Sequence, residues 1–278
     1  MMKGPLTFNL KMCLPKTVKY LVNCSALTPN NLNNLSMTEI SALKITQGNT
    51  TKTVSELFEI SGEDTKNIIF ENTDNDNLEL AYIGANMTTG SITVKGNAGV
   101  YCGLGLQGGT IHCLANTADF AACNMVNGLL KIDGNTGDFL GGATAGLRKG
   151  MRGGVVLVKG NAGDRAGDQM RRGVILIEGD AGNYCGSRMI AGTIGVLGNV
   201  GKYAGFSMQR GTLLFANTPS LHATMQNCGM HTLSFLSLML KSFNHFDTPF
   251  AALNLQRVQR FVGDAATNGN GEILVITN

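Results

Sequence analysis

The 278-residue chain is 43% hydrophobic and carries a formal net charge of +3, which is too small to indicate a nucleic-acid partner by itself. It has seven cysteines without a CxxC pair and four scattered histidines, and this pattern argues against a metal site. No apolar run has the length of a signal peptide at the start or of a membrane span elsewhere, so we expect a reduced, cytoplasmic protein with no membrane segment.

The first segment, residues 1–62, is predicted to form an N-terminal α/β cap outside any repeat. Strands are expected in LTFNLKM, VKYLVNC and ELFEISG. A short helix is expected in LSMTEISALKI, because Ser36 and Glu39 have the spacing of a capping box. The following segment, from Asn67 to Gly90, reads as an irregular coil with a strand at IIFE and a polar tip at NTDNDN. We expect it to close the N-terminal end of the repeat that follows.

Residues 63–217 are predicted to form the central domain, which is organised by a repeat. Each copy begins with a glycine, and successive leading glycines are 19 residues apart except for one step of 26. These glycines are Gly90, Gly109, Gly128, Gly154, Gly173, Gly192 and Gly211. Apolar residues alternate on the short strand that follows each one, and further glycines mark the corners. The fold class is therefore all-β, a right-handed parallel β-helix of 19-residue coils.

Two further apolar columns run along the repeat. The first precedes each leading glycine by three residues, and its methionines are expected to stack in the interior: Met125, Met151, Met170, Met189 and Met208. The second column falls on an outward-facing position of the strands and contains Leu157, Leu176 and Leu214. An exposed apolar column would form a patch that needs a partner.

Residues 218–278 are predicted to form a C-terminal helical cap and a final strand. Leu233, Leu236, Leu240 and Phe243 have helical spacing. The pair Thr248-Pro249 is expected to begin a second helix that continues through FAALNLQRVQRFVGD. The segment EILVITN is expected to be a strand. Two helices covering the C-terminal end of the β-helix are the simplest arrangement, because terminal repeats need caps.

Two motifs invite a catalytic or cofactor interpretation. The segment from Gly103 to Gly108 fits GxGxxG, but a strand follows it instead of a helix, so a dinucleotide site is not indicated. Asp119, Asp138 and Asp164 follow a corner on consecutive coils. Two of them, Asp138 and Asp164, could serve a free-standing β-helix enzyme that acts on polysaccharide. The favoured interpretation is structural, because aspartate is common in turns.

The next corner position carries an aromatic column that Arg165 interrupts. Tyr101, Phe120, Phe139, Tyr184 and Tyr203 are expected to stack. Arg165 follows Asp164 directly, and a structural ion pair between the two is expected. No nucleophile–base pair and no metal-ligand cluster is found, so we assign no catalytic and no metal-binding residue.

Basic residues are concentrated just before several strands. The candidate site residues are Arg148, Lys149, Arg152, Arg171, Arg172 and Arg210. Arg148 and Lys149 fall in the seven extra residues of the 26-residue copy. The six residues are predicted to lie along one corner, here called the basic corner. They could bind a polyanion or an acidic partner surface, or they could be a solvated edge.

The repeat G-x-[IV]-x-V-x-G-x-A-G-x-x-x-G-x-x-M-x-x resembles the GXGXG domain, a right-handed parallel β-helix found in the C-terminal part of glutamate synthase and in the C-type subunit of formylmethanofuran dehydrogenase. The insertion GLRKGMRGG and the tail CGMHTLSFLSLMLKSF are more similar to this C-type subunit. The N-terminal segment LTPNNLNNLSMTEISAL shares the resemblance, which covers nearly the whole chain. A glutamate synthase would also need an amidotransferase domain and a flavin barrel, for which 278 residues leave no room.

The resemblance implies a non-catalytic scaffold subunit of a one-carbon complex. Such a complex is either the archaeal formylmethanofuran dehydrogenase or the bacterial formyltransferase/hydrolase, and its other subunits, of A, B and D type, would be the partners. The resemblance places a methanofuran-type cofactor, with zinc or molybdopterin, in those partners. It also implies that the basic corner could hold the polyglutamate tail of a methanofuran analogue. A GXGXG domain related to glutamate synthase and the polysaccharide enzyme remain the alternatives.

Overall fold

The computed structural model describes residues 4–11, 20–72, 78–253 and 257–277. Its strands are β1 Pro5–Leu10, β2 Tyr20–Asn23, β3 Lys44–Gln47, β4 Thr50–Thr53, β5 Phe58–Ser61, β6 Asp64–Asn72, β7 Leu78–Ala81, β8 Ser91–Gly96, β9 Thr110–Cys113, β10 Leu129–Ile132, β11 Arg152–Val158, β12 Arg172–Ile177, β13 Thr193–Val196, β14 Thr212–Phe215, β15 Gln226–His231, β16 Val258–Gly263 and β17 Gly271–Ile276. Its α-helices are α1 Pro29–Leu32, α2 Met37–Ala42, α3 Val54–Leu57 and α4 Ser234–Ser242.

The main sheet has 13 strands in the order β15-β16-β17-β14-β13-β12-β11-β10-β9-β8-β6-β1-β5. From β1 through β6 and β8–β14 to β17 every neighbouring pair is parallel. The pairing joins equivalent residues of successive coils, as Ile175 with Ile194 and Ile194 with Leu213. A second side of each coil forms single parallel bridges, as between Thr136 and Ala162. The predicted parallel β-helix is confirmed, and the 26-residue copy keeps the same strand register.

The buried methionine column explains why each copy begins with glycine. Met170 is fully buried, and its Cε lies 2.9 Å from the place that a Cβ on Gly192 would occupy. Met151 has the same relation to Gly173, at 2.8 Å. Both glycines have positive φ, +112° and +100°, which side chains other than glycine adopt only with strain. The predicted interior stack is confirmed, because its five methionines are all fully buried.

The N-terminal cap contributes strands to both sheets. β1 joins the main sheet between β6 and β5, and β2, β3, β4 and β7 form a separate four-stranded sheet. The predicted capping box is confirmed, because Ser36 and Glu39 at the start of α2 exchange both hydrogen bonds. A second capping box, Thr53 with Glu56, begins α3 and was not predicted, so ELFEISG is a strand only from Phe58. The polar tip NTDNDN falls almost entirely outside the described residues.

The prediction of a second C-terminal helix is wrong. Pro249–Ala252 is a single 3-10 turn, and Val258–Gly263 is strand β16. β16 pairs antiparallel with β17, and β17 pairs parallel with β14, the strand of the last coil. The backbone N–H and C=O groups at the open edge of that coil are thus hydrogen-bonded to a strand, and a helix could not pair with them in this way. β15, also not predicted, pairs antiparallel with the other edge of β16.

Helix α4 packs on the side of the β-helix, so the expectation that it covers the end is also wrong. Leu236 and Leu240 of this helix form one buried cluster with the outward column Leu157, Leu176 and Leu214. The apolar column that the sequence left without a partner is therefore covered by the chain's own C-terminal segment. In the part of the chain that the structure describes, no helix combines the length and the apolar character needed to cross a membrane.

Candidate functional site

The aromatic column forms two runs of stacked rings along one corner of the β-helix. Tyr82 and Tyr101 have ring centroids 4.9 Å apart, and the Tyr101–Phe120, Phe120–Phe139 and Tyr184–Tyr203 pairs follow at 5.0, 5.1 and 5.0 Å. These residues all have φ near +60°, because the chain turns sharply at this position. The predicted stack is confirmed, and Tyr82 extends it by one coil.

Arg165 fills the one place in the stack that lacks a ring. Its guanidinium carbon lies 4.6 Å from the ring centre of Tyr184 and 5.8 Å from that of Phe139. This geometry is a cation–π contact on both sides. The predicted ion pair with Asp164 is wrong, since no ion pair between them is found among the described residues and the guanidinium contacts rings instead.

The carboxylate column is a hydrogen-bonded ladder between coils. Oδ1 of Asp119 accepts the backbone N–H of Asp138 at 2.8 Å, and Oδ1 of Asp138 accepts that of Asp164 at 2.7 Å. Oδ1 of Asp164 accepts the N–H of Asn183 at 2.7 Å. Each aspartate therefore has one oxygen engaged with the backbone of the next coil, which favours the structural interpretation of Asp138 and Asp164.

The six predicted basic residues are all exposed. Arg152 and Arg172 are register partners on β11 and β12, so they lie side by side. Arg210 occupies the position of Arg172 two coils further on, about 10 Å away at the parallel-strand spacing. Arg148 and Lys149 lie on the loop formed by the extra residues. None of the six takes part in an ion pair within the described ranges, so the positive charge of the basic corner is not neutralised there.

A buried carboxylate lies beside the basic corner and was not predicted. Asp168 is 2% exposed and accepts hydrogen bonds from the Ser187 hydroxyl at 2.6 Å and from Nε of Arg188 at 2.9 Å. The hydrogen bond to Asp168 raises the pKa of the Arg188 guanidinium. With its amide oriented to satisfy both groups, Gln169 donates to the Leu147 carbonyl and accepts from Arg188. Arg188 is thus linked through Gln169 to Leu147 of the extra loop, and it differs from the six residues of the basic corner, for which no ion pair is found in the described ranges.

A groove of about 720 Å³ lies on the same surface, at the N-terminal side of the extra loop. It is lined by Tyr82, Asn86, Tyr101, Leu104, Gly105, Gln107, Asn124, Val126, Thr144, Ala145, Leu147 and Arg152. The loop is held against it by a hydrogen bond from the Asn124 amide to the Thr144 hydroxyl, 2.8 Å long. Of the predicted site residues only Arg152 lines the groove. The length of the insertion was visible in the sequence, but the direction in which it folds was not.

The buried thiols of Cys123 and Cys185 are unsuited to nucleophilic chemistry, and no metal-ligand cluster is found among the described residues. Burial raises the pKa of the Cys123 and Cys185 thiols to about 12, so neither is a reactive thiolate at neutral pH. Within the described residues no group of three or more His, Cys, Asp or Glu side chains is close enough to hold a metal ion.

Comparisons with known proteins agree on one group of relatives. No family model matches the chain. It is 34% identical over 82 residues to the C-type subunit of the tungsten-containing formylmethanofuran dehydrogenase 2 of Methanococcus maripaludis, and the match covers 29% of this chain and only 29% of that relative. The structure is similar to a chain in the crystal structure of the formyltransferase/hydrolase complex (FhcABCD) of Methylorubrum extorquens in complex with methylofuran. That similarity has a TM-score of 0.86 at 34% identity and covers 98% of this chain and 100% of the other.

Proposed function

Because the chain belongs to the protein family that includes the C-type subunit of formylmethanofuran dehydrogenase and the matched chain of the formyltransferase/hydrolase complex, we propose that it is a non-catalytic subunit of a one-carbon complex of this kind. The observation that carries the proposal is the similarity over 98% of the chain to a protein that is part of such an assembly. Its partners are other subunits of that complex, of A, B and D type. The one-carbon chemistry is the movement of a formyl group between tetrahydromethanopterin, a methanofuran-type cofactor and formate or CO2.

The cofactors of this chemistry are assigned to the partner subunits. The described residues of this chain offer no set of donors for zinc. They also provide no phosphate-binding loop at a helix start for a pterin cofactor, because GxGxxG at Gly103 lies between strands of the β-helix. The alternative of a polysaccharide enzyme is weakened by the aspartate ladder, in which Asp138 and Asp164 each hold a backbone N–H.

The chain purified alone is expected to show no formyl transfer, no formyl hydrolysis and no dehydrogenation, because its described part has no group of three or more side chains that could hold a metal ion. When a tagged copy of the chain is co-expressed with the products of the neighbouring genes, it should retain other subunits in a pull-down. The isolated complex should then catalyse the formyl reactions that the single chain does not. The assay of the single chain and the assay of the complex both use the full-length chain and the same substrates. Turnover by the chain alone that is lost in Asp138→Ala would contradict the scaffold role and support the carboxylate enzyme.

We further propose that the basic corner binds either the acidic tail of a methanofuran-type cofactor or an acidic face of a partner subunit. The support is that its cations are exposed, form no ion pair in the described ranges and recur at coil intervals of about 4.8 Å. Arginine suits the role because its guanidinium binds a carboxylate in a bidentate manner.

Neutralising three of these residues together, as Arg152→Gln, Arg171→Gln and Arg172→Gln, is expected to raise the KM of the complex for a long-tailed cofactor. Exposed ion pairs contribute about 0.2–1 kcal/mol each, so three together correspond to a change of roughly 3-fold to 100-fold. The KM for a cofactor with a truncated tail should be unchanged. The effect should also shrink as salt is added, because exposed charges are screened.

The matched control removes three exposed cations elsewhere, as Lys44→Gln, Lys66→Gln and Arg257→Gln, with the same change in net charge. It should leave both KM values unchanged. If the first triple variant dissociates the complex instead, the basic corner is an interface with a partner. If neither KM nor assembly changes, the basic corner is a solvated edge and the proposal is wrong.

A further inference from the structure

The aromatic column ends at Tyr203, beside a second exposed ring. Tyr203 is 44% exposed and Phe206 is 42% exposed, whereas the earlier rings of the column are half-buried. Both contact Tyr184, since Tyr203 stacks on it with ring centroids 5.0 Å apart and Phe206 meets it edge-on at 5.9 Å. Tyr203 and Phe206 are here called the exposed ring pair. Neighbouring aromatic rings on a surface are typical of sites where another protein binds.

The described chain does not continue the column beyond Tyr203. His222 follows Tyr203 by 19 residues, the interval that also separates Tyr203 from Tyr184. Its ring packs instead against Phe206, at a centroid distance of 5.9 Å, and its Nδ1 is hydrogen-bonded to the Thr224 hydroxyl. Among the described residues, no ring or guanidinium is found on the outer face of Tyr203. The next position of the column is therefore open.

The neighbouring charges indicate which group suits this open position. Inside the column Arg165 takes the place of a ring, and the adjacent coil position there carries the carboxylates Asp138 and Asp164. In the two coils that end the column, the same position carries Asn183 and Lys202. A cation placed beyond Tyr203 would thus meet a lysine and no carboxylate at this position, whereas a neutral ring stacks without that repulsion. An aromatic ring is therefore favoured over a guanidinium.

The stretch of chain that contains the exposed ring pair has no acidic residue. Between Asp180 and Asp247 the sequence contains neither Asp nor Glu. Lys202 and Arg210 lie in this stretch, are exposed and form no ion pair within the described ranges. Two copies of the chain joined through this surface would bring these like charges together, which opposes self-association. A neutral or acidic surface of a different protein fits better.

We propose that the exposed ring pair is the point at which a partner subunit docks, with an aromatic side chain of that subunit stacked on Tyr203 and packed against Phe206. The inference rests on the proposed function, because it requires a complex with other subunits, and it assigns a contact outside the basic corner. The partner's ring takes the position that His222 leaves open. The ring stacking at about 5 Å that holds successive coils together then also joins the two subunits.

The first test is photo-crosslinking in the complex that co-expression assembles. Phe206 is replaced by p-benzoylphenylalanine, a phenylalanine analogue that on irradiation forms a bond to a group in contact with it. We expect a product that joins this chain to one partner subunit, with the bond at or next to a Trp, Tyr or Phe of that subunit. The matched control places the same analogue at Phe235, which is 39% exposed on α4, and should not give this product.

The second test compares the affinity of full-length ring variants for the crosslinked subunit. Tyr203→Ala is expected to weaken binding by about tenfold or more, and Tyr203→Phe by less than about threefold, because phenylalanine keeps the ring. The ratio between the two variants should not change as salt is added, since stacking of neutral rings is not screened. Thermal unfolding verifies that both variants are folded.

The docking point would be overturned by the absence of a product at position 206, by a product of two copies of this chain, or by a bond remote from any aromatic residue. Equal yields of the product from positions 206 and 235, or equal affinities of Tyr203→Ala and the unchanged chain, would also overturn it. Failure of the proposed function is distinguishable, because the unchanged chain then retains no other subunit and the docking point falls with it. A complex that forms normally and is insensitive to both rings removes the docking point alone.

Discussion

Met170→Asp is expected to prevent the chain from folding. Met170 is fully buried, and its methyl group packs on Gly192 of the next coil. Truncation of a buried methionine costs about 2–5 kcal/mol, and an unpaired carboxylate in the same place adds several more. A domain has only about 5–15 kcal/mol of stability, so the sum removes most or all of it. Soluble yield and thermal unfolding by circular dichroism are the measurements.

The matched control is Met170→Leu, which keeps the volume and should cost less than about 1.5 kcal/mol. Arg171→Asp, the adjacent exposed position, tests whether the added carboxylate alone is harmful and should leave the melting temperature nearly unchanged. A folded Met170→Asp protein with an unchanged melting temperature would show that this column does not face the interior.

Asp264→Ala is expected to destabilise the C-terminal strands by about 1–2 kcal/mol, because it removes the acceptor of two partly buried backbone N–H groups and the cap of the 3-10 turn that follows it. Asp264 is 2% exposed and accepts the backbone N–H groups of Ser207 and Ala266 at 3.0 and 2.9 Å. The Thr224 hydroxyl also hydrogen-bonds to this carboxylate. The side chain thus joins the last coil to the segments on either side of β15 and β16. Chemical denaturation measures the loss.

The same carboxylate makes stability depend on pH. Burial raises the pKa of Asp264, but the hydrogen bonds from Thr224, Ser207 and Ala266, with the nearby His222, lower it more, so the pKa is below the ordinary aspartate value. A folded pKa below the unfolded one means that the stabilisation is present above about pH 4 and is lost as pH falls through the folded pKa. Asp264→Asn should flatten this part of the melting-temperature profile. An unchanged acid profile would contradict the assignment.

The β-helix was predictable because its determinants repeat in the sequence. The methionine and the leading glycine three residues later recur in step, and the structure shows why, since Met170 packs on Gly192. The capping box of Ser36 and Glu39 was equally local and was recognised. Features fixed by neighbours within a few residues, or by an exact period, could be inferred from the sequence.

The C-terminal error has a different origin. Thr248-Pro249 is a good helix start, but it produces only one 3-10 turn. Val258 and Phe261, spaced three apart, fit a helix, yet they lie on a strand whose pairing with β17 is determined by contacts with the last coil. Such non-local pairing outweighs local pattern and cannot be read from one segment.

Of the candidate site, only the positively charged residues of the basic corner were predicted from the sequence. The basic corner was visible because arginines precede several strands, but nothing in the sequence indicated the separate role of Arg188. Its engagement with Asp168 depends on side chains from adjacent coils. The groove depends on where the extra loop folds, which the hydrogen bonds of Asn124 and Gln169 decide. Nothing in the sequence around Asn124 or Gln169 indicates that its side-chain amide holds the extra loop.

The register of the stacked strands restricts how proteins of this shape can change in length. Each coil meets the next at equivalent residues, as Ile175 meets Ile194, so a partial coil cannot be added without leaving the stack. Evolution can therefore lengthen or shorten the rod only by whole coils, in increments of about 4.8 Å. Extra residues that do not complete a coil, like those around Leu147, must emerge as a surface loop. The separation between the two ends, and between any proteins that bind there, is a multiple of one fixed increment.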